Sequence, residues 1–492
     1  MKTSILLLLS AVVIVLGRPN LPDDETLLLQ ARLTTFRLSG ALESFTKKTY
    51  YLLSKNSPDE NLVYSPFSIH AAASMLFYGS PGNSSTFEQL SNLLGLNRRE
   101  HYGEYLLNYL LVLMGYERDL PNYVLAANRI YVDQSVELEE NFRGALARFY
   151  RADAIKGDFA LNGPTVAEEM NEFVSNTTRG NIKNIISPRD IDELTRLVII
   201  NAIYFKGDWL EQFDPLDTLP GQFRLSPQSS VLYPKMMNKV GHYWVSYDDP
   251  ELNADIIDLP YENQDFSMLL FIPNDPNDYS LNILDEKINN YQGSLFDNLY
   301  RRMVNRKVNI TMPSFEIETS EDISEIFIAL GVTDVFDQSK SNLNDISTNY
   351  KDLHVDYIKH KARIIVNEEG TEASAATAIV IGTRSSSSLI RMSADRPFIF
   401  IITDKRFNIP LFFGKYVNPS KASNGNNDQF ENPINPPPAR VPQHRRKDNN
   451  NDYDSNNSKN DREETTKEVP QIFFPFRPRE TLVMKKEHIL DN

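Results

Sequence analysis

The chain of 492 residues has no cysteine. That absence removes disulfide frameworks, zinc fingers, iron–sulfur clusters and cysteine nucleophiles together. Basic residues are in deficit, 51 Lys and Arg against 66 Asp and Glu, for a formal charge of −15. Such a balance lacks the basic face that neutralises phosphates, so no nucleic-acid partner is expected. Histidine is scarce as well. His70, His101, His242, His354, His360, His444 and His488 form no close pair with metal-ligand spacing, and neither a metal nor a cofactor is expected. The signatures G-x-S-x-G, G-x-x-x-x-G-K-[ST] and H-E-x-x-H are all missing, which argues against an enzyme.

What is present is apolar substance and an address. Hydrophobic residues make up 41% of the chain, enough for a large core. Met1 to Leu16 reads as a secretory signal. Lys2 supplies the positive start, Ile5 to Leu16 is apolar except for Ser10, and the small Val15 and Gly17 put cleavage before Arg18. The run is shorter than the roughly 20 residues that span a bilayer. A secreted, extracellular protein is therefore expected, with no membrane attachment. Without cysteine it must rely on its core alone, which favours a large domain. Sequons at Asn83, Asn176, Asn309 and Asn456 suit that reading. Tyr105 to Met114, apolar apart from Asn108, is short and suits a buried helix.

Composition divides the chain after the signal at residues 1–17. Residues 18–419 form a body. Residues 420–492 are rich in Asn, Pro and charge and predict a disordered extension, since they bury too little to offset their ordering entropy. The extension carries a basic cluster, Arg445-Arg446-Lys447, and an apolar patch, Gln471 to Phe476. The first third of the body is mainly helical. Phe87 to Leu94 has helical spacing, with capping side chains among Asn83 to Thr86. Strand-like runs follow at Ser267 to Ile272, Val308 to Met312, Ala362 to Val366, Phe398 to Ile402 and Leu411 to Val417. Helices first and strands later predict an α+β fold.

The segment from Asn367 to Arg391 reads N-E-E-G-T-E-A-S-A-A-T-A-I-V-I-G-T-R-S-S-S-S-L-I-R. Alternate residues of a strand share a face. One face here would carry Thr371, Ala373, Ala375 and Thr377, then Ile379 and Ile381. Small side chains at the leading end are what a strand needs to enter a crowded sheet, where a bulky or charged group would clash or lose its hydration. On pattern alone, the segment is either a latent strand or an exposed Ala/Ser loop.

The same segment resembles the reactive loop of the serpins, the serine protease inhibitors. Glu368-Glu369-Gly370-Thr371-Glu372-Ala373-Ser374-Ala375-Ala376-Thr377-Ala378 is similar to the inhibitory hinge of that family. Ser65-Pro66-Phe67-Ser68-Ile69, the run Asn201 to Trp209, Leu259-Pro260-Tyr261, Met312-Pro313-Ser314-Phe315 and Asp395-Arg396-Pro397-Phe398 resemble further serpin motifs, in the same order. The likeness covers about residues 30–419 and leaves the extension outside.

The resemblance implies three β-sheets, about nine helices and an exposed reactive loop at about residues 368–391. It implies a monomer that traps a serine protease irreversibly and covalently: the cleaved loop inserts as a strand in the main sheet, so the protein is a suicide substrate and not an enzyme. Counting fourteen positions from Gly370 places the reactive bond at Arg384-Ser385, and Arg384 is the only basic residue between Glu372 and Leu389. Arginine suits a trypsin-like pocket, and a target protease in a proteolytic cascade is expected; Arg391-Met392 is the rival bond. By the same resemblance, Ser65, Ser68, Asn201 and His360 fall in the shutter below the main sheet, and Trp209 in the breach where the loop first enters. No glycosaminoglycan activation is expected, because Phe87 to Tyr105 offers only Arg98 and Arg99. A non-inhibitory carrier or chaperone is the alternative; such proteins often carry bulky or charged residues where this hinge is small.

Overall fold

The apolar runs of the sequence form strands, and short polar side chains open the helices. A computed structural model describes residues 24–96, 123–262, 264–275, 277–371 and 389–421, and the account below concerns those. In chain order, helix α1 (Asp24–Asn56) leads to the short strand β1 (Leu62–Tyr64), then α2 (Pro66–Tyr78) and α3 (Ser85–Leu93). Strand β2 (Tyr123–Asp133), helix α4 (Glu140–Ala145), β3 (Asp153–Gly157), α5 (Phe159–Thr177) and β4 (Leu197–Asp208) follow. Strands β5 (Leu219–Ser226), β6 (Ser229–Asp249), β7 (Ala254–Pro260) and β8 (Phe266–Pro273) precede α6 (Asn282–Asn289) and α7 (Leu295–Arg302). Then come β9 (Val304–Pro313), β10 (Phe315–Asp322), α8 (Ser324–Ala329), β11 (Tyr357–Val366) and β12 (Gly370–Thr371). Strands β13 (Ile390–Ser393), β14 (Phe398–Asp404) and β15 (Ile409–Tyr416) complete the described elements.

Local chemistry sets several boundaries. Ser84 caps α3 by accepting from the Phe87 amide at 3.1 Å. Ser65 caps α2, with Pro66 in the first turn where its missing N–H costs nothing. The mainly helical start holds as far as Leu93; after it, β2, β3 and β4 alternate with α4 and α5. Tyr105 to Met114, the signal segment and residues 422–492 lie outside the described residues.

The strands make two hydrogen-bonded sheets. The six-stranded sheet runs β10-β11-β4-β2-β3, with β12 added on β4. The nine-stranded sheet runs β1-β15-β14-β8-β7-β6-β9-β13, with β5 added on β6. Strand β6 has 21 residues and changes partners along its length, from β5 and β9 to β7. It joins two smaller sheets into one path, so the three expected sheets appear as two continuous ones. A large core fills the space between sheets and helices, including Phe67, Ile69, Leu270, Phe400 and Phe412. A smaller core lies under α5, where Met170 and Val174 pack with Ile200, Ala202 and Tyr204 of β4.

Candidate functional site

The six-stranded sheet has a parallel pair at its centre. Strands β4 and β11 run side by side from Val198 and Tyr357 to Tyr204 and Arg363. Beyond that point β4 acquires another partner. Gly370 and Thr371 pair antiparallel with Asp208 and Gly207, so the chain leaving β11 has turned back and begun a strand on β4. Parallel pairing is slightly weaker per residue than antiparallel. A strand continuing from Thr371 between β4 and β11 would replace one parallel contact with two antiparallel ones.

The turn is held tightly. Asn367 Oδ1 accepts from the amides of Glu369 (3.2 Å) and Gly370 (3.1 Å), and the Asn367 amide donates to the Gly370 carbonyl at 2.8 Å. Trp209 donates twice, from its amide to the Glu369 carbonyl (2.9 Å) and from Nε1 to the Asn367 carbonyl (3.0 Å). The Phe213 amide donates to the Glu368 carbonyl at 2.8 Å. The Trp209 ring stacks on Tyr261, with centroids 4.5 Å apart and planes 11° from parallel. Gly370 has φ +149°, and a side chain there would collide with the Gly207 carbonyl and the Asp208 Cα. Burial raises the Asp208 carboxyl pKa, with Lys206 opposing and Glu262 and Glu369 adding to the rise.

A polar floor lies beneath the seam. Asn201 pairs in register with Asn128 on β2 and with His360 on β11. All three are buried, Asn201 and His360 completely. Asn201 Nδ2 donates to Asn128 Oδ1 (2.6 Å), Ser68 Oγ (2.7 Å) and the Ser68 carbonyl (3.0 Å). Its Oδ1 is therefore free to accept from His360 Nδ1, at 2.5 Å. His360 Nε2 accepts from the Ser65 amide at 3.1 Å, which assigns the neutral Nδ1–H tautomer. Burial lowers the His360 pKa to about 3. Ser65 Oγ in turn accepts from the Ser68 amide at 3.2 Å. Ser65, Ser68, Asn201 and His360, read from the sequence as a group, thus form one network.

Asn128 and Asn367 were not among the residues singled out from sequence, although both hold the arrangement together. Asn128 had a signal: it interrupts the inward file of Ala126, Ile130 and Val132 on β2. Ala373, Ala375, Thr377, Arg384 and Ser385 lie outside the described residues, as does Asn456. Asn83 and Asn176 are exposed, and Asn309 is half-buried on β9.

Comparison with known proteins meets this geometry. The family model described as Serpin (serine protease inhibitor) matches residues 40–419. The chain belongs to the serpin family. It is 35% identical over 380 residues to serine protease inhibitor 42Dd of Drosophila melanogaster, spanning 76% of this chain and 95% of that protein. Human serpin B8 is 31% identical over 78% of this chain and 99% of its own length. Among solved structures, Serpin48 of Tenebrio molitor aligns with a TM-score of 0.69 at 27% identity, over 81% of this chain and 100% of that one. Uncleaved ovalbumin aligns with a TM-score of 0.67 at 26% identity, over 78% and 100%. The α+β serpin fold expected from the motifs is the fold observed, and the family is one of protease inhibitors.

Proposed function

We propose that this serpin is a secreted, irreversible inhibitor of a trypsin-like serine protease in a proteolytic cascade, with Arg384-Ser385 as its reactive bond. The protease serine attacks the Arg384 carbonyl, the Ser385 amine leaves, and Arg384 stays joined to the serine oxygen as an ester. The freed segment from Thr371 onward then continues β12 as a full strand between β4 and β11. Its fourteen residues to Arg384 span about 46 Å as a strand. That length carries the acylated protease along the sheet and distorts the machinery that would hydrolyse the ester. The observation that carries this reading is β12, already seated on β4 at the head of a parallel seam.

Other observations support the parts. The small side chains of Thr371, Ala373, Ala375 and Thr377 suit entry under a sheet's cover. The Asn201–His360 bond spans the seam and must part, which suits a shutter. The contacts of Trp209 with Asn367 and Glu369 suit a breach that aligns Glu368, Glu369 and Gly370. Arginine at 384 suits a pocket with a buried carboxylate. The signal at residues 1–17 and the exposed Asn83 and Asn176 suit a secreted glycoprotein, with residues 18–419 as the inhibitory body and 420–492 as an extension. The inhibitor acts as a monomer whose partner is the protease.

The test is to mix the mature protein with trypsin, run a denaturing gel and identify the released peptide by mass. The expected result is a stable high-mass complex and a peptide beginning at Ser385. Cleavage there without a complex would favour the carrier or chaperone reading.

A further inference from the structure

The register of β12 sets where a longer strand would lie. Gly370 stands opposite Asp208 and Thr371 opposite Gly207. Each further residue moves one place back along β4, so the residue after Thr371 falls opposite Lys206. Directly opposed residues of an antiparallel pair share a face, with Cβ atoms about 5 Å apart. Asn201 belongs to the polar floor, so alternation turns Ala202, Tyr204, Lys206 and Asp208 to the opposite face. Ala202 and Tyr204 are buried in the small core under α5. Lys206 lies beyond that cover and is half-buried.

Lys206 is a cation in acidic company. Among the described residues it makes no ion pair. The Glu262 amide donates to the Asp208 carbonyl at 2.8 Å, and Glu369 adjoins Gly370. Both carboxylates add to the rise that burial imposes on the Asp208 pKa, and Lys206 opposes it. Glu369 Oε2 is buried with no hydrogen-bond partner among the described residues. Arg363, the cation facing this end of the seam from β11, is committed to Glu316 at 2.7 Å. The sequence adds one more acid. Residue 372 is a glutamate, the only charged residue between Gly370 and Arg384. A charge at the leading end of an entering strand is costly unless it is paired, and beside Asp208, Glu262 and Glu369 it would also be repelled.

We infer that Lys206 is a subsite of the seam that recognises a carboxylate at the second position of an entering strand, counted from Thr371. The inference rests on the insertion reading above and deepens it. Lys206 is a positioning residue: it pairs with Glu372 as the strand starts, and offsets the acids already gathered there. It also holds the register. A slip of one residue would turn Glu372 beneath the sheet and Thr371 toward Lys206.

The test offers the full chain synthetic peptides of residues 371–384 with Glu, Gln or Lys at the second position. Uptake is followed as a shift on native gels and in thermal stability. The wild type takes up the Glu peptide roughly threefold faster than the Gln peptide, the scale of an opposite-charge cross-strand pair, and the Lys peptide most slowly. Lys206→Met takes up the Glu and Gln peptides at equal rates. Lys206→Glu reverses the order and prefers the Lys peptide, which a merely structural role for Lys206 would not produce. In the chain itself, Glu372→Gln and Lys206→Met each lower the ratio of trypsin trapped to trypsin released by roughly threefold, and the double variant loses no more than either alone. A wild type that takes up all three peptides at one rate overturns the subsite, whatever the folding of the variants. So does a preference for Glu that persists in folded Lys206→Met. Where the wild type traps trypsin but takes up no peptide, full additivity in the double variant overturns the subsite. A wild type that takes up no peptide and forms no trypsin complex overturns the insertion reading and the subsite with it.

Discussion

The two sheets solve the same problem of burial with different materials. At the centre of the nine-stranded sheet, every residue of β8, β14 and β15 is buried and their pairing is antiparallel. Phe398 packs against Tyr416 with ring centroids 5.6 Å apart. Separating those strands would expose continuous apolar surface, at about 25 cal/mol for each Å². At the centre of the six-stranded sheet lie a parallel pair and a polar floor. Polar bonds are directional and can be exchanged for others. The first sheet is a frame; in the proposed mechanism the second parts along this line and closes again on a new strand.

The largest effect should come from the proposed reactive residue. Arg384→Ala removes the group a trypsin-like pocket is built to pair, and the rate of trypsin inhibition should fall by roughly 10⁴-fold. An unchanged rate would move the reactive bond elsewhere; the rival Arg391-Met392 is paired with β9 in strand β13, with Met392 buried, and would be cleaved only if that strand came away. Thr371→Arg strikes the seam itself. A guanidinium entering beneath the sheet would be unpaired and costly, so the ester should hydrolyse before the strand seats. Cleavage by trypsin should continue while the covalent complex on a denaturing gel drops by roughly a hundredfold, a loss of about 2.7 kcal/mol in the partition. Complex formation at the wild-type level would sink the insertion account.

Much of the frame was legible in the sequence, because its strands are long apolar runs: β8, β9, β14 and β15 all fall where those runs are. Helix α3 was legible through its cap. The hinge was visible as a pattern of small residues, yet pattern alone left it undecided between a latent strand and a loop. The motif resemblance favours the latent strand, and the pairing of Gly370 with Asp208 is consistent with it. The seam was less visible. Asn128, Asn201 and His360 lie far apart in the chain and meet only through strand register. Lys361 and Arg363 on β11 donate to the carbonyls of Lys183 and Asn181, backbone partners that no side-chain pattern reveals.

Acid should distinguish the two regions more gently. Burial lowers both His360, in the seam, and His70, on helix α2, to about 3 from 6.5. The unfolded chain takes up protons below pH 6.5 that the native state refuses. Stability is therefore full above that pH and falls as pH drops toward 3, by about 1.4 kcal/mol per unit for each histidine. His360→Gln should remove one proton's share of that slope in urea unfolding measured between pH 6.5 and 4.5. His70, whose Nε2 lies 3.4 Å from the Leu94 carbonyl, should supply a second share of the same size. A slope unchanged by His360→Gln would mean that the floor does not keep its histidine neutral.

The smallest effect belongs to the frame. Lys415 on β15 is fully buried, with Nζ donating to Ser54 Oγ (2.9 Å) and to the carbonyls of Ser54 (3.2 Å) and Pro58 (3.1 Å). Burial lowers its pKa to about 8 from 10.5, with Asp285 opposing the shift. Between those values the unfolded chain holds a proton that the native state has shed, so stability should rise from pH 8 to 9.5 by about 1.6 kcal/mol. Lys415→Met should abolish that rise and leave the yield of trypsin complex unchanged, because the bond it removes ties β15 to the end of α1 and lies away from the seam. A change in complex yield would show that the frame takes part in the movement, and the division between a fixed sheet and a parting one would have to be given up.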